Sequence, residues 1–144
     1  MDQHIRHARE FDLPKMKRLL AEHTLPTSDF EAATIDWLVA VAAGDQLAGM
    51  VGLELFGDVG LLRSLAVTPK GAGVGSALLA AAERFAFARQ VRRLFLLTET
   101  AESFFASRGY TRVERSAVPM SILQTSEFRS LCPASAACMM RALP

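Results

Sequence analysis

The 144-residue sequence has no excess of either charge, with 16 Lys and Arg residues against 15 Asp and Glu and a formal net charge of +1. A chain so close to neutral lacks the basic surface that nucleic-acid binding requires, so polyanionic partners are not expected. Apolar runs of the roughly 20 residues that cross a bilayer are also missing. The N-terminal stretch "MDQHIRHAREFDLPKMKRLL" lacks the apolar segment of a secretion signal, so we expect a cytosolic protein with no membrane partner.

Cysteine is scarce: Cys132 and Cys138 are the only two, and they lie in the tail "LCPASAACMM". They lack CxxC spacing, and the three histidines (His4, His7 and His23) lie outside every motif and are interpreted as surface residues, so no metal site is expected. We interpret the cysteines as reduced thiols that serve as small apolar side chains. A reactive or disulfide-forming thiol is the alternative.

The hydrophobic periods predict a single α+β (mixed α/β) domain over residues 1–144, built around one central sheet. A helical pattern stops at Pro26, and Thr27 or Ser28 offers an N-cap for a short second helix. Apolar runs joined by short turns then predict three antiparallel strands, followed by a long alanine-rich helix, a strand, a short helix and two final strands. The predicted segments are helices at 13–23 and within 26–33, strands at 36–43, 47–56 and 59–69, a helix at 76–90, a strand at 92–98, a helix at 101–109, and strands at 110–115 and 135–143.

Glycine is concentrated in one turn, "VTPKGAGVGSALLAAAE", with glycines at positions 71, 73 and 75. Because these residues have no Cβ, successive backbone N–H groups can point into one concavity, and the helix starting near Ser76 adds its free N–H groups and positive dipole end. Lys70 adds a charge at the mouth, so the turn is a candidate pyrophosphate site. It contains neither the GK[ST] of a Walker loop nor an in-frame GxGxxG, and a turn that only reverses the chain is the alternative.

The stretch "LAVTPKGAGVGSALLAAAE", followed by "RLFLLTET" and "AESFFASRGYTRV", resembles the GCN5-related N-acetyltransferases (GNAT). The family's coenzyme A signature is Arg or Gln, two residues, Gly, one residue, then Gly or Ala; "KGAGVG" satisfies it with lysine in first place, in a loop two residues shorter than usual. Three further stretches, "GLELFGDVGLLRSLAVTP", "FLLTETAESFFASRGY" and "EFRSLCPASAACM", are similar to the small acetyltransferases of arsenic-resistance operons and to amino-acid and glutamate N-acetyltransferases. The resemblance implies a mostly antiparallel sheet of six to seven strands with one splayed parallel pair, about four flanking helices, and acetyl-CoA as co-substrate.

The resemblance also implies where acetyl-CoA binds. Its pantetheine would pair with backbone groups of the strand before the loop, and its pyrophosphate would rest on the loop itself. A backbone N–H near Leu65 would stabilise the oxyanion of the tetrahedral intermediate. The cofactor-binding residues are therefore expected to be Leu65, Ala66, Val67, Lys70, Gly71, Ala72, Gly73, Val74, Gly75 and Ser76.

Acetyl transfer needs a neutral amine, and Glu54 is the best candidate for the base that accepts its proton. It interrupts an apolar strand, where a carboxyl group tends to have a raised pKa. The alternatives are a solvent-exposed glutamate at a strand edge or an ion pair with Arg63. Glu99 is a weaker candidate because strand alternation points it the other way, while Ser64 and Thr98 are expected to position water or substrate.

The sequence departs from the family at the residue that would protonate the leaving thiolate. Many members carry a tyrosine where this chain has Phe105, which has no proton to donate. Tyr110 is the only tyrosine, and we expect its ring to lie in the core. Water or Ser103 would then supply the proton, or none would be needed, because a thiolate with a reference pKa of about 8.5 leaves readily near neutral pH.

Arg63 carries the substrate hypothesis, since an arginine inside "GLLRSLAV" is costly unless its guanidinium reaches a cleft or a partner. Two interpretations stand: an anchor for an acidic amino acid or its arsenic- or phosphorus-containing analogue, or a salt bridge to Glu54. The sequence therefore predicts an acetyl-CoA-dependent N-acetyltransferase acting on the primary amine of such a small molecule, and a homodimer is compatible with it. Alternatives are another amine acceptor, such as a protein N-terminus, lysine or polyamine, or a non-catalytic acyl-CoA-binding domain, which Phe105 and the shortened loop would suit.

Overall fold

A computed structural model describes residues 4–30, 34–68, 73–131 and 135–144. Seven strands form one sheet in the order β1-β2-β3-β4-β5-β7-β6. The strands are β1 (His4–His7), β2 (Asp36–Ala42), β3 (Gln46–Phe56), β4 (Val59–Val67), β5 (Arg93–Thr98), β6 (Thr111–Arg112) and β7 (Ala137–Ala142). The described α-helices are α1 (Leu13–Glu22), α2 (Val74–Ala88), α3 (Glu102–Ala106) and α4 (Met120–Leu123), and a π-helical turn spans Glu127–Leu131.

All neighbouring strands pair antiparallel except β4 and β5, which are parallel. The predicted fold class, with a mostly antiparallel sheet and one parallel pair, is confirmed. The α2 helix supplies the crossover that a parallel connection requires. Within the described ranges, no helix has both the length and the apolar character to span a membrane.

The sheet separates two hydrophobic clusters because side chains alternate between its faces. On β2, Trp37, Val39 and Val41 pack toward α1, whereas Leu38 and Ala40 pack toward α2. This explains why β2 is apolar throughout: it is buried on both faces. A third cluster under α4 includes Cys138, which is 5% exposed, as expected for a small apolar side chain; Cys132 lies outside the described residues.

The structure differs from the predicted elements at β1, at the second helix and at β6, and α4 was not predicted. The strand β1 was not predicted, because four residues are too few to show a period, and it is recognised only by its antiparallel pairing with β2. The prediction of a second helix is wrong for residues 28–30, which form a turn in which the Phe30 N–H donates to Thr27 O. Residues 31–33 of that predicted segment lie outside the described residues. The strand predicted at 110–115 is only β6, because the Tyr110 N–H still donates to Phe105 O at the end of α3.

Candidate active site

The parallel strands β4 and β5 separate part of the way along their length. They pair only at Val59–Arg93, Gly60–Leu94 and Leu61–Phe95, although β4 continues to Val67 and β5 to Thr98. On its other side, β5 pairs with β7 along its whole length, from Arg93 to Thr98. The unpaired halves diverge around a cleft of about 670 Å³, which is the splayed pair that the resemblance implied.

The walls of this cleft come from four parts of the chain. They are the connection after α1, the second half of β4, the end of β5 with the residues that follow it, and α3. The lining residues fall in the ranges 21–27, 62–65, 96–101 and 104–105, with Ala136. One edge is closed by His23, whose ring Nε2 lies 2.8 Å from the Val67 carbonyl oxygen, so this histidine is exposed but belongs to the cleft.

The strand β4 is bulged where it borders the cleft. Met50 of β3 faces Ala66 and Gly52 faces Arg63, so Ser64 and Leu65 together stand opposite the single residue between them. Ser64 has a φ of 56°, in the left-handed region that non-glycine residues rarely adopt. A bulge of this kind releases backbone groups from the sheet ladder, which suits the predicted oxyanion donor near Leu65.

Beside the bulge, three carboxylates converge on the guanidinium of Arg63. Asp29 forms a bidentate pair with it, at 2.6 Å to Nη1 and 2.8 Å to Nη2. Glu54 Oε2 lies 3.1 Å from Nη1, and Glu127 Oε1 lies 3.4 Å from Nε. We call these four residues the Arg63 cluster. The predicted salt bridge between Arg63 and Glu54 is therefore present, within a larger network that the sequence did not reveal.

Burial shapes the charge of the Arg63 cluster. The side chains of Arg63 and Glu127 are 0% and 3% exposed, respectively. Burial raises the pKa of Glu127 to about 7 despite the nearby guanidinium, and the charges of Asp29 and Glu54 raise that pKa further. With one guanidinium and up to three carboxylates, the cluster carries a net negative charge next to the cleft.

The candidate phosphate site lies at the start of α2. Gly73 has a φ of 80° and open space around its Cβ direction, and the first helical bond runs from the Ala77 N–H to Gly73 O. A Cβ on Gly75 would meet the ring of Phe104 at 3.5 Å, which places this turn directly beside a residue of the cleft wall. The predicted contributors Lys70, Gly71 and Ala72 lie outside the described residues.

Sequence reasoning missed Arg108, which follows α3. Its guanidinium donates to Ser76 Oγ through both Nε, at 3.0 Å, and Nη2, and it stacks over the Phe104 ring at 4.0 Å. The buried Arg63 and the partly buried Arg6 and Arg141 each contact a carboxylate, but the hydrogen bonds of Arg108 in the described chain are to neutral oxygens. A cation at a helix N-terminus opposes the helix dipole, so this arrangement favours a bound anion. No local motif marks Arg108, since it lies 32 positions from Ser76.

The other predicted residues divide between the cleft and its surroundings. Thr98 lies in the cleft wall, but its Oγ1 accepts the Ala101 N–H at 3.0 Å and caps the following turn. Glu99 also lines the cleft. Glu54 contacts the cleft through Arg63, since its own side chain is not among the described lining residues.

Phe105 and Tyr110, the two aromatic residues considered for the proton donor to the leaving thiolate, lie where they were expected. Phe105 lines the cleft and packs against Tyr110, with ring centroids 5.6 Å apart. Tyr110 is 2% exposed, which confirms its core position, and its hydroxyl donates to Glu83 Oε2 at 2.8 Å. Burial and the Glu83 carboxylate raise the pKa of Tyr110 far above its ordinary value, so this hydroxyl is not a ready proton donor.

Comparisons with known proteins agree with this geometry. Residues 4–112 match the Acetyltransferase (GNAT) family. An amino-acid acetyltransferase from Mycobacterium tuberculosis is 34% identical over 133 residues, covering 82% of this chain and 74% of the relative.

Two solved structures show the same fold. N-acetylglutamate synthase from Neisseria gonorrhoeae, complexed with coenzyme A and L-arginine, superposes with a TM-score of 0.81 at 24% identity; it covers 98% of this chain, which spans only 33% of that protein. Rv2747 from Mycobacterium tuberculosis, in complex with CoA and NLQ, has a TM-score of 0.81 at 24% identity and covers 98% of this chain and 99% of its own. The splayed strands, the glycine turn before α2 and the matched residues lead to one conclusion: the chain belongs to the acetyltransferase (GNAT) family.

Proposed function

We propose that the chain is an acetyl-CoA-dependent N-acetyltransferase whose acceptor is the primary amine of an amino acid. The observation that carries this is the cleft between the diverging halves of β4 and β5, whose wall residue Phe104 lies against Gly75 at the start of α2. The 34% identical amino-acid acetyltransferase supports an amino acid as the acceptor.

Acetyl-CoA would enter with its pantetheine along Leu65, Ala66 and Val67 and its pyrophosphate at the start of α2. The N–H groups of the first turn of α2 have no intrahelical partner and point toward that position. Arg108, held by Ser76, would add the positive side chain that a doubly charged pyrophosphate favours.

In the reaction, the acceptor nitrogen attacks the acetyl carbonyl carbon, and the C–S bond then breaks as the tetrahedral intermediate collapses. The Leu65 N–H would stabilise the oxyanion at the bulge. Glu54 would accept the proton of the acceptor ammonium through water, since its own side chain is not among the described lining residues, while Ser64 positions the acceptor. With Phe105 in the cleft wall, the coenzyme A thiolate leaves without a side-chain acid and takes its proton from solvent.

Within the amino acids, we propose an acidic acceptor or an arsenic- or phosphorus-containing analogue, because Arg63 brings a guanidinium to the cleft wall. Carboxylate, arsenic and phosphorus oxyanions share the geometry that a guanidinium binds. A cytosolic location and a homodimeric state stay predictions.

Calorimetric titration with acetyl-CoA, followed by an assay of free thiol with a panel of amines, tests the proposal. Two variants sharpen it: Gly75→Ala adds only a methyl in ordinary contact with Phe104, whereas Gly75→Glu adds a negative charge at the phosphate position. We expect saturable binding for the wild type and Gly75→Ala, no binding for Gly75→Glu, and thiol release with an amino acid. Binding without thiol release would establish the non-catalytic alternative, and release only with a polyamine or peptide would refute the amino-acid acceptor.

A further inference from the structure

The two terminal nitrogens of the Arg63 guanidinium, which we call its fork, are already occupied in this structure. Both of its terminal nitrogens bond the two oxygens of Asp29, at 2.6 Å and 2.8 Å, in the bidentate geometry that a guanidinium offers to any carboxylate. An acidic acceptor that used Arg63 as its anchor would need the same two positions. Asp29 and the acceptor carboxylate would therefore compete for the same two nitrogens of Arg63.

Asp29 is the partner best placed to leave. Its side chain is 17% exposed, compared with 8% for Glu54 and 3% for Glu127. It lies two residues after the segment 23–27 that lines the cleft, so it belongs to the connection after α1 rather than to the sheet. Glu54 and Glu127 would remain on Arg63 after Asp29 had moved away, and the guanidinium would keep its countercharge.

Charge balance makes simultaneous binding unfavourable. Arg63 carries one positive charge and already contacts the carboxyl groups of Asp29, Glu54 and Glu127, and a further carboxylate brought in by the acceptor would meet repulsion that no other cation in the cluster offsets. An acceptor with a neutral side chain does not compete for the fork and leaves Asp29 in place.

Building on the proposed function, we infer that Asp29 is a specificity-determining residue: it occupies the guanidinium fork of Arg63 and weakens the preference for acidic acceptors, because their carboxylate must displace it. The acceptor preference is then a balance between the attraction of Arg63 and the competition from Asp29. Removing the competitor shifts that balance toward acidic amino acids.

Glutamate and glutamine provide a matched pair of acceptors, because they have nearly the same shape and differ in the charge of the side chain. The ratio of kcat/KM for glutamate to that for glutamine is measured in the wild type, Asp29→Asn and the control Asp58→Asn, which changes an exposed carboxylate in the turn between β3 and β4. The ratio does not depend on the folded fraction of a variant. We expect the ratio to rise about tenfold in Asp29→Asn, because the charge-assisted hydrogen bonds from Arg63 to Asp29 no longer compete with those to the acceptor carboxylate. The ratio should stay constant in Asp58→Asn.

An unchanged or lower ratio in both Asp29→Asn and Asp29→Ala would overturn the inference. If the wild type acetylates neither amino acid, the proposed function fails for these acceptors. The ratio of the two dissociation constants, measured by calorimetry on the protein saturated with coenzyme A, then decides the role of Asp29 by the same criterion.

Discussion

Replacing Glu127 by glutamine should remove a pH-dependent loss of stability from the protein. The carboxyl group is 3% exposed, and burial raises its pKa from 4.5 to about 7. A group with a raised pKa holds its proton more tightly in the folded than in the unfolded chain, so the folded state is favoured while it stays protonated. The contribution of protonated Glu127 to the unfolding free energy is therefore fully present below about pH 4.5 and is lost as the pH rises through about 7.

The size of the effect follows from the two pKa values. Each factor of ten in proton affinity corresponds to about 1.4 kcal/mol, so ionising Glu127 in the folded state costs about 3 kcal/mol of unfolding free energy. Glutamine has nearly the same shape and no charge to bury. Relative to the wild type, Glu127→Gln should therefore gain about 3 kcal/mol between about pH 4.5 and about pH 8.

Urea unfolding followed by the fluorescence of Trp37, the only tryptophan, measures this difference over the pH range. Because the other titrating groups are common to both proteins, they cancel in the comparison. The exposed Glu114→Gln is the control and should show a constant difference from the wild type. If the difference between Glu127→Gln and the wild type is equally flat, Glu127 is ionised throughout and our account of its burial is wrong.

Two further predictions concern single contacts. Arg108→Ala should weaken acetyl-CoA binding about tenfold, measured by calorimetry, because it removes the cation beside Ser76. The control Arg84→Ala changes an exposed arginine and should leave the affinity unchanged. If Arg108→Ala binds acetyl-CoA as tightly as the wild type, Arg108 only supports α3. Gly52→Ala should lower the unfolding free energy by about 2 kcal/mol, since its Cβ would lie 2.6 Å from the Trp37 ring, whose Nε1 is held by Phe30 O at 3.1 Å. Unaltered stability in urea would mean that the ring moves aside at little cost.

Local features of the sequence were sufficient to predict most of the fold. The apolar runs of β2 and β3, the alanine-rich α2 and the glycine turn each involve neighbouring residues, so their patterns are visible along the chain. The family resemblance supplied the divergence of β4 from β5. The family resemblance also implied that Leu65, Ala66 and Val67 of β4 contact acetyl-CoA.

The Arg63 cluster was beyond local reasoning. Arg63 and Glu54 could be paired from the predicted hairpin of β3 and β4, but Asp29 lies 34 positions away in an irregular connection. Glu127 comes from a π-helical turn, and no local pattern indicates that its side chain reaches Arg63. The bulge at Ser64 was equally hidden, because a serine with positive φ is held there by the sheet around it and is not a local preference.

By itself, then, the sequence determined most of the element order and the candidate phosphate turn, because periodicity and backbone freedom are properties of adjacent residues. Only the tertiary structure decided that the fork of Arg63 is filled by Asp29, that Glu127 is buried with a raised pKa, and that Arg108 reaches Ser76. These are electrostatic contacts between distant parts of the chain, and their strength depends on distances and burial that exist only once the chain has folded.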